Sequence, residues 1–409
     1  MSRRRGILAA IALAGIALVL GPAPARAQES IFSLQFLGMS QETGDVRARG
    51  LGVLGVGFPD AASAITLNPA GQAALPRMTL SVMGLAGTRT SSQPGQSIHS
   101  GMSTFPHQRF ALPVPGQLVM TVGFVGLRNF ASGFQLDRRS IGGIAYQQDF
   151  ARSGTLYTIP LGLSRAVGSH VLLGATLDFT LGTADEAWRS TGDSLVALRT
   201  RRRDTYSGQS ATLGVIVTPY RWLHVGATAS PAVHLDRSER TTVEDPRITT
   251  GGGTHRDATV LTQVQFPATL RMGAAVAIGP RGMVTADAMR RDWASYDGRL
   301  YGAESVGLES RVGGGVEYRP TSIIWLGRMA YRVGVSRLTW PQRVGGNPLR
   351  ETALHLGAGL DLRGGMGRLD LGFEYARIGA IDRNGREETQ YRFLFGFSGQ
   401  ESWKRRRPS

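Results

Sequence analysis

From residue 77 onward, apolar and polar positions alternate with a period of two. In 170–181, Val171, Leu173, Ala175, Leu177, Phe179 and Leu181 share one face, and His170, Leu172, Gly174, Thr176, Asp178 and Thr180 share the other. In 353–363, Leu354, Leu356, Ala358, Leu360 and Leu362 stand against His355, Gly357, Gly359, Asp361 and Arg363. Segments 368–375 and 390–398 repeat the pattern. Strict alternation predicts strands with one apolar face and excludes amphipathic helices at these places.

Fourteen such segments run from 77–87 to 389–399, most of them 10 to 15 residues long. Soluble strands average about 5–6 residues, whereas about 9–11 tilted residues cross a bilayer. The connections alternate as well. Short ones centre on Val114-Pro115-Gly116, Val167, Tyr220-Arg221, Gly279-Pro280, Pro320 to Gly327 and Gly365-Met366. Long ones are expected at 88–106, 131–152, 183–204, 236–261, 295–305, 338–350 and 379–388. Short turns on one side and long loops on the other are the habit of outer-membrane barrels. The predicted fold is all-β: a 14-stranded antiparallel transmembrane β-barrel over 77–399.

Six Trp residues sit near strand ends (Trp188, Trp222, Trp293, Trp325, Trp340 and Trp403), as interfacial girdles require. The non-lipid face carries both signs of charge: Arg271, Asp287, Arg311, Glu317, Arg319, Arg332, Asp361, Arg363, Asp370, Glu374 and Arg392. Charges enclosed by strands must pair or stay hydrated, so this ladder is read as lumen-filling ion pairs. Inward Gly at 174, 313, 315, 357, 359, 372 and 396 leaves backbone uncovered and makes room for a plug or a passage. Pro160, Pro231 and Pro267 interrupt strands whose ladder bonds they cannot donate, and are candidate wall kinks.

The N-terminus reads as a signal peptide. Arg3, Arg4 and Arg5 precede an apolar run from Ile7 to Leu20, then Pro22, Pro24 and Ala25-Arg26-Ala27, which predicts cleavage after Ala27. That run is shorter than the ~20 residues of a spanning helix. Export places the chain in the outer membrane of a Gram-negative-type bacterium. Residues 28–76 then form a separate N-terminal segment, and 400–409 a basic periplasmic tail.

Composition narrows the chemistry. The chain has 55 Gly and no Cys, which removes disulfides, thiolate metal sites and Cys nucleophiles. Its formal charge of +16 comes almost wholly from Arg spread along the chain, Lys404 being the sole Lys. A nucleic-acid reader concentrates basic residues with aromatics on one face, so no nucleic-acid partner is expected. Anionic lipid head groups and lipopolysaccharide suit the charge better. No metal-ligand spacing, GxSxG, HExxH, P-loop or EF-hand occurs, so neither cofactor nor metal is expected and the protein is read as non-enzymatic.

Residues 28–76 are small and Gly-rich, without clean alternation. Gly50, Gly52 and Gly55 satisfy GxGxxG, but a dinucleotide site needs a βαβ unit that is absent. The same stretch continues as Asp60-Ala61-Ala62-Ser63-Ala64-Ile65-Thr66-Leu67-Asn68-Pro69-Ala70-Gly71. It resembles the N-terminal hatch of the FadL/TodX family of outer-membrane transport proteins and of the related PorV-like barrels. Segments 265–298 and 355–379 are similar to barrel strands of that family. The resemblance implies that 28–76, with Asp60, Asn68, Pro69, Ala70 and Gly71, folds inside a 14-stranded barrel as a plug. It implies uptake of long-chain fatty acids or other small hydrophobic solutes, with lateral opening of the wall. The alternative is a PorV-like barrel that binds or shuttles secreted or periplasmic protein partners.

Overall fold

The structure, a computed structural model, describes residues 30–33, 37–141, 144–192, 195–244, 258–296, 305–321, 329–362 and 365–401. The predicted signal peptide, Arg363, Trp325, Trp403 and 402–409 of the tail lie outside the described residues. The N-terminal segment holds a short strand β1 (Met39–Ser40), helix α1 (Val46–Gly50) and a 3-10 turn at Pro69–Ala74. Strands β2 (Met78–Gln93), β3 (Gln96–Val114), β4 (Leu118–Asn129), β5 (Ser132–Ile141), β6 (Ile144–Val167) and β7 (Val171–Gly192) follow. Next come β8 (Leu195–Tyr220), β9 (Leu223–Ser230), β10 (Val233–Glu244), β11 (Ala258–Phe266), β12 (Thr269–Ile278) and β13 (Gly282–Asp292). The chain finishes with β14 (Leu308–Tyr318), β15 (Ala330–Val344), β16 (Asn347–Asp361), β17 (Gly367–Ala380), helix α2 (Ile381–Asn384) and β18 (Arg386–Glu401).

Neighbouring strands pair antiparallel, and the ring closes where β18 pairs with β2 from Glu401↔Met78 to Glu387↔Ser92. Strands β5, β10 and β11 continue β4, β9 and β12 outward after breaks at Phe130-Ala131, Pro231-Ala232 and Pro267-Ala268. Counted this way the barrel has fourteen strands, as the alternation predicts.

The pleat turns the chain inside out relative to a soluble protein. Leu213 (62 % exposed), Phe393 (61 %) and Leu371 (55 %) point outward, together with Leu173, Leu177, Leu354 and Leu356. The alternate positions Thr176, Thr180, His355, Asp370 and Glu374 are buried on the inner face. Such an apolar outer band is what strands facing lipid require.

Two expectations need correction. The long connections at 88–106, 131–152, 183–204 and 338–350 are mostly strand: β2–β3 and β15–β16 run on to turns of two residues, and β5, β6, β7 and β8 occupy nearly all the described residues of the other two. Beyond the apolar band neither face meets lipid, so the alternation fades while the backbone ladder continues. At the turn ending β15, Gly345 and Gly346 supply the two positive φ angles (60° and 73°) that a tight hairpin demands. The Trp girdle is also smaller than expected. Trp222 is exposed beside Tyr220 (ring centroids 5.3 Å apart), but Trp293 and Trp340 are buried inside. Trp293 joins Leu37, Phe130, Leu156, Tyr206, Leu235 and Phe266, and its indole N–H donates to Glu309 Oε2 at 2.7 Å.

Candidate functional site

The N-terminal segment reaches inward-facing residues of strands all round the ring, and glycine makes the approach possible. Val46 packs on Gly372 and Gly396, Gly50 on Gly357, Leu51 on Gly315 and Gly334, and Pro69 on Gly174. Any Cβ at these wall positions would meet the segment. Gly52 needs its hydrogen side chain twice over: its φ is +69°, and a Cβ would lie 2.6 Å from the Val335 carbonyl oxygen. The GxGxxG glycines therefore serve close backbone packing. Asp287 sits on the inner wall of β13 and accepts from the amides of Leu54 (3.1 Å) and Val56 (2.8 Å).

A closed ring of ion pairs joins the segment to the wall. Arg47 holds Glu317 (2.9 Å), Glu317 holds Arg332 (2.7 Å) and Arg332 holds Asp370 (2.6 Å). Asp370 holds Arg368 (2.5 Å), Arg368 holds Asp60 (2.7 Å), and Asp60 returns to Arg47 (3.4 Å). Arg368 also takes Asp45 at 3.0 Å, and Asp45 caps α1 by accepting from Ala48 N (2.9 Å). Burial alone would raise the Asp60 pKa, but the Arg368 and Arg47 guanidinium groups outweigh it and hold this carboxyl well below the usual range.

Two further clusters follow the same plan. Glu374, fully buried, takes Arg49 through Nε at 2.7 Å and Arg392 at 3.4 Å, with Arg392 reaching on to Glu351 (3.1 Å). Glu42 receives Arg271 at 2.9 Å and Arg291 at 2.5 Å. Burial pushes Glu42 up, yet Arg291 and Arg271 bring its pKa down from 4.5 to about 2. Its contribution to docking is thus complete above the ordinary carboxylate range and declines as pH falls through about 2.

Asn68 is fully buried and extended at φ −101°, ψ 106°, as the following Pro69 favours. Its Nδ2 donates to Val56 O (2.9 Å) and to Val215 O on β8 (3.1 Å), and its Oδ1 accepts from Ala70 N (3.1 Å). One amide thus ties the two limbs of the segment to the wall. Asn68→Ala is expected to cost about 1–3 kcal/mol through these lost bonds. Leakage of small solutes from liposomes should rise while heat-modifiable gel migration stays that of a folded barrel. Normal leakage with loss of ligand binding would instead make Asn68-Pro69-Ala70 a solute site.

Two cavities flank the segment. The first, about 120 Å³, brings together Pro160, Pro231 and Pro267 with Glu42, Arg109, Asp178, Arg271 and Arg291. Pro231 and Pro267 stand at the breaks into β10 and from β11; Pro160 lies within unbroken β6, beside a gap in the β4–β6 pairing between Val122↔Leu161 and Val125↔Thr158. The second cavity, about 110 Å³, is lined by apolar Met39, Leu85, Met102, Leu338 and Trp340, and by Arg49, Arg89, Arg311, Arg392, Glu351 and His355. Arg311 Nε and Trp340 Nε1 have no hydrogen-bond partner among the described residues.

The predicted residues separate accordingly. Asp60, Glu317, Arg332 and Asp370 meet in the ion ring, while Glu374 and Arg392 meet beside Arg49. Arg319 and Asp361 depart from the lumen ladder: they pair at 2.6 Å with side chains 44 % and 51 % exposed, near the strand ends. Ala70 and Gly71 are buried in the 3-10 turn. Arg47, Arg49, Asp45 and Glu42 lie in a segment without strand period, where alternation singles out nothing. Arg368 falls on the polar face of 368–375 by alternation but is not part of the predicted lumen ladder.

The arrangement has close structural counterparts. The Ralstonia pickettii toluene transporter TbuX matches at TM-score 0.62 and 15 % identity, over 88 % of this chain and 99 % of that one. A Pseudomonas aeruginosa FadL homologue matches at TM-score 0.63 and 13 % identity, over 90 % and 100 %. The Pseudomonas putida toluene transporter TodX matches at 0.61 and 13 %, over 89 % and 100 %. These likenesses establish a FadL/TodX-like barrel fold. No curated protein matches by sequence. The family model described as BamG matches residues 7–408, nearly the whole length, and the chain belongs to the BamG family.

Proposed function

We propose that the protein is an outer-membrane channel for hydrophobic compounds, in which residues 28–76, released by cleavage after Ala27, plug the barrel. The observation that carries this reading is a seam between β3 and β4. Their pairing ends at His107↔Val125; beyond it β3 pairs with β2, and the rim of β4 pairs with β1 through Met39↔Asn129 and Ser40↔Arg128. Gln41 N adds a bond to Leu127 O at 3.0 Å. Part of the N-terminal segment thus stands in for a missing stretch of wall, and the second cavity lies behind it. Withdrawal of β1 would connect that cavity sideways to lipid. Its apolar side and its cluster of arginines suit an apolar chain with an acidic head, such as a long-chain fatty acid, more than a neutral hydrocarbon.

A second reading, capture of a protein partner, draws on β11. This strand pairs with β10 on one side and with no strand on the other among the described residues. It is uncharged from Ala258 to Phe266, with Leu261 79 % exposed. Free edges of this kind accept an added strand. Mass spectrometry of small molecules retained by purified protein separates the two readings. Retained fatty acid is the expected result; an empty lumen with a stoichiometric protein partner would favour the second.

A further inference from the structure

The outer face of β6, β7, β8 and β10 carries a charge pattern that passage of a solute does not use. Along β7 the outward positions are apolar from Val171 to Leu181 and, apart from Ala187, polar from Thr183 onward. Register sets Asp185 opposite Arg203, Ala187 opposite Arg201 and Arg189 opposite Arg199. On the far side of β8, Arg203 faces Arg240 and Arg201 faces Thr242. Arg189, Arg199, Arg201, Arg203 and Arg240 are all exposed, whereas Arg202 and Asp204 between them turn inward and are buried.

Two arginine pairs therefore stand directly opposite each other on one exposed surface. Like charges so placed repel and destabilise the sheet. An anion lying between them converts that repulsion into attraction. Among the described residues three acids stand at the register positions beside these arginines: Asp185, which pairs with Arg203 at 2.5 Å, Asp149 opposite Arg189, and Glu244 opposite Arg199, while Arg201 lies between Ala187 and Thr242.

Height identifies the anion. Asp185 lies four residues beyond Leu181, the last apolar outward position of β7. At ~3.3 Å per residue and a tilt of ~40° that is roughly 10 Å above the apolar band, with Arg189 and Arg199 roughly 20 Å above it. This end of the barrel is opposite the end where β2 begins and β18 finishes, and so faces outward from the cell. We propose that this patch binds the phosphate-bearing sugars of lipopolysaccharide in the outer leaflet. The inference rests on the outer-membrane location of the barrel but not on what the barrel carries. Guanidinium forks match phosphate oxygens two at a time, which favours Arg at such a site.

The test adds rough lipopolysaccharide with phosphorylated inner-core sugars to the purified protein in detergent and counts bound lipid by native mass spectrometry. The variant R189S/R199S/R201S keeps the Arg203–Asp185 pair and leaves both cavities untouched. It should bind this lipopolysaccharide about ten-fold or more weakly, the equivalent of one charge-assisted hydrogen bond or more. Lipopolysaccharide whose core sugars lack phosphate should bind the parent no better than the variant. Unchanged heat-modifiable migration, with retained small molecules like those of the parent, separates loss of this surface from loss of the fold or of the channel. Equal binding by parent and variant would overturn the proposal. So would parent binding that survives removal of the core phosphates, or preference for soluble polyphosphate over lipopolysaccharide.

Discussion

Replacing Arg368 by Leu is expected to free the N-terminal segment from the wall while the barrel itself stays folded. Arg368 is the common partner of Asp45, Asp60 and Asp370, at 3.0, 2.7 and 2.5 Å. Two of these carboxylates belong to the segment and one to β17. Removing the guanidinium leaves three buried acids around an apolar side chain, and only Asp60 and Asp370 keep another cation, through Arg47 and Arg332. Breaking a buried pair by deleting one partner costs about 3–5 kcal/mol, because the charge left behind stays desolvated. The strand ladder does not depend on this side chain, so the cost falls on docking of the segment. Arg368→Leu should therefore show a several-fold higher conductance in planar bilayers and new protease cleavage within 28–76, with unchanged heat-modifiable migration. Arg368→Lys keeps the charge but loses the fork that spans Asp60 through both Nη atoms, and should fall between. Parent-like conductance and cleavage in the Leu variant would show that the ring does not hold the segment.

The fold was legible because one physical rule governs most of the chain. Leu173 and Leu177 must face lipid, while Thr176 and Asp178 must not, so the period of two survives in the sequence and yields the strand number. Inward glycines such as Gly174 and Gly357 were legible for a related reason, since a missing side chain on a regular face implies something lying against it. The ring of ion pairs was half legible. Glu317, Arg332 and Asp370 stand out by parity, but Arg47, Asp45 and Asp60 lie where backbone direction changes every few residues and parity says nothing. Pairing across 308 residues, as between Arg368 and Asp60, leaves no local trace. The outer hairpins were misread as loops for the converse reason: in water on both faces, Ser, Thr and Arg can pair as strands without an apolar stripe. Trp293 illustrates a third limit. A strand-end Trp suits a girdle or a core equally well, and here Glu309 supplies an inner acceptor that decides the matter.

Locking β1 to β4 should stop lateral passage altogether. Met39 and Asn129 are register partners in the short β1–β4 pairing that covers the seam. Directly opposed residues of an antiparallel pair have Cα atoms roughly 4.5–5.5 Å apart, within the 4.4–6.8 Å that a disulfide spans. The chain contains no cysteine, so M39C/N129C introduces a single bridge without competing thiols. In proteoliposomes, oxidised M39C/N129C is expected to take up oleate no faster than empty vesicles, and reduction should restore most of the parent rate. Asn129 Oδ1 accepts from Ala131 N at 2.9 Å, so N129C alone is the control for that lost bond, worth about 1 kcal/mol. The two possible routes give different results. If solute leaves through the β3–β4 seam, the bridge blocks it, because β1 cannot withdraw. If solute instead passes the first cavity and the proline breaks near Pro231 and Pro267, the bridge lies off the path, since neither Met39 nor Asn129 lines that cavity. Uptake by the oxidised protein at the reduced rate would exclude the seam and move the search to that wall.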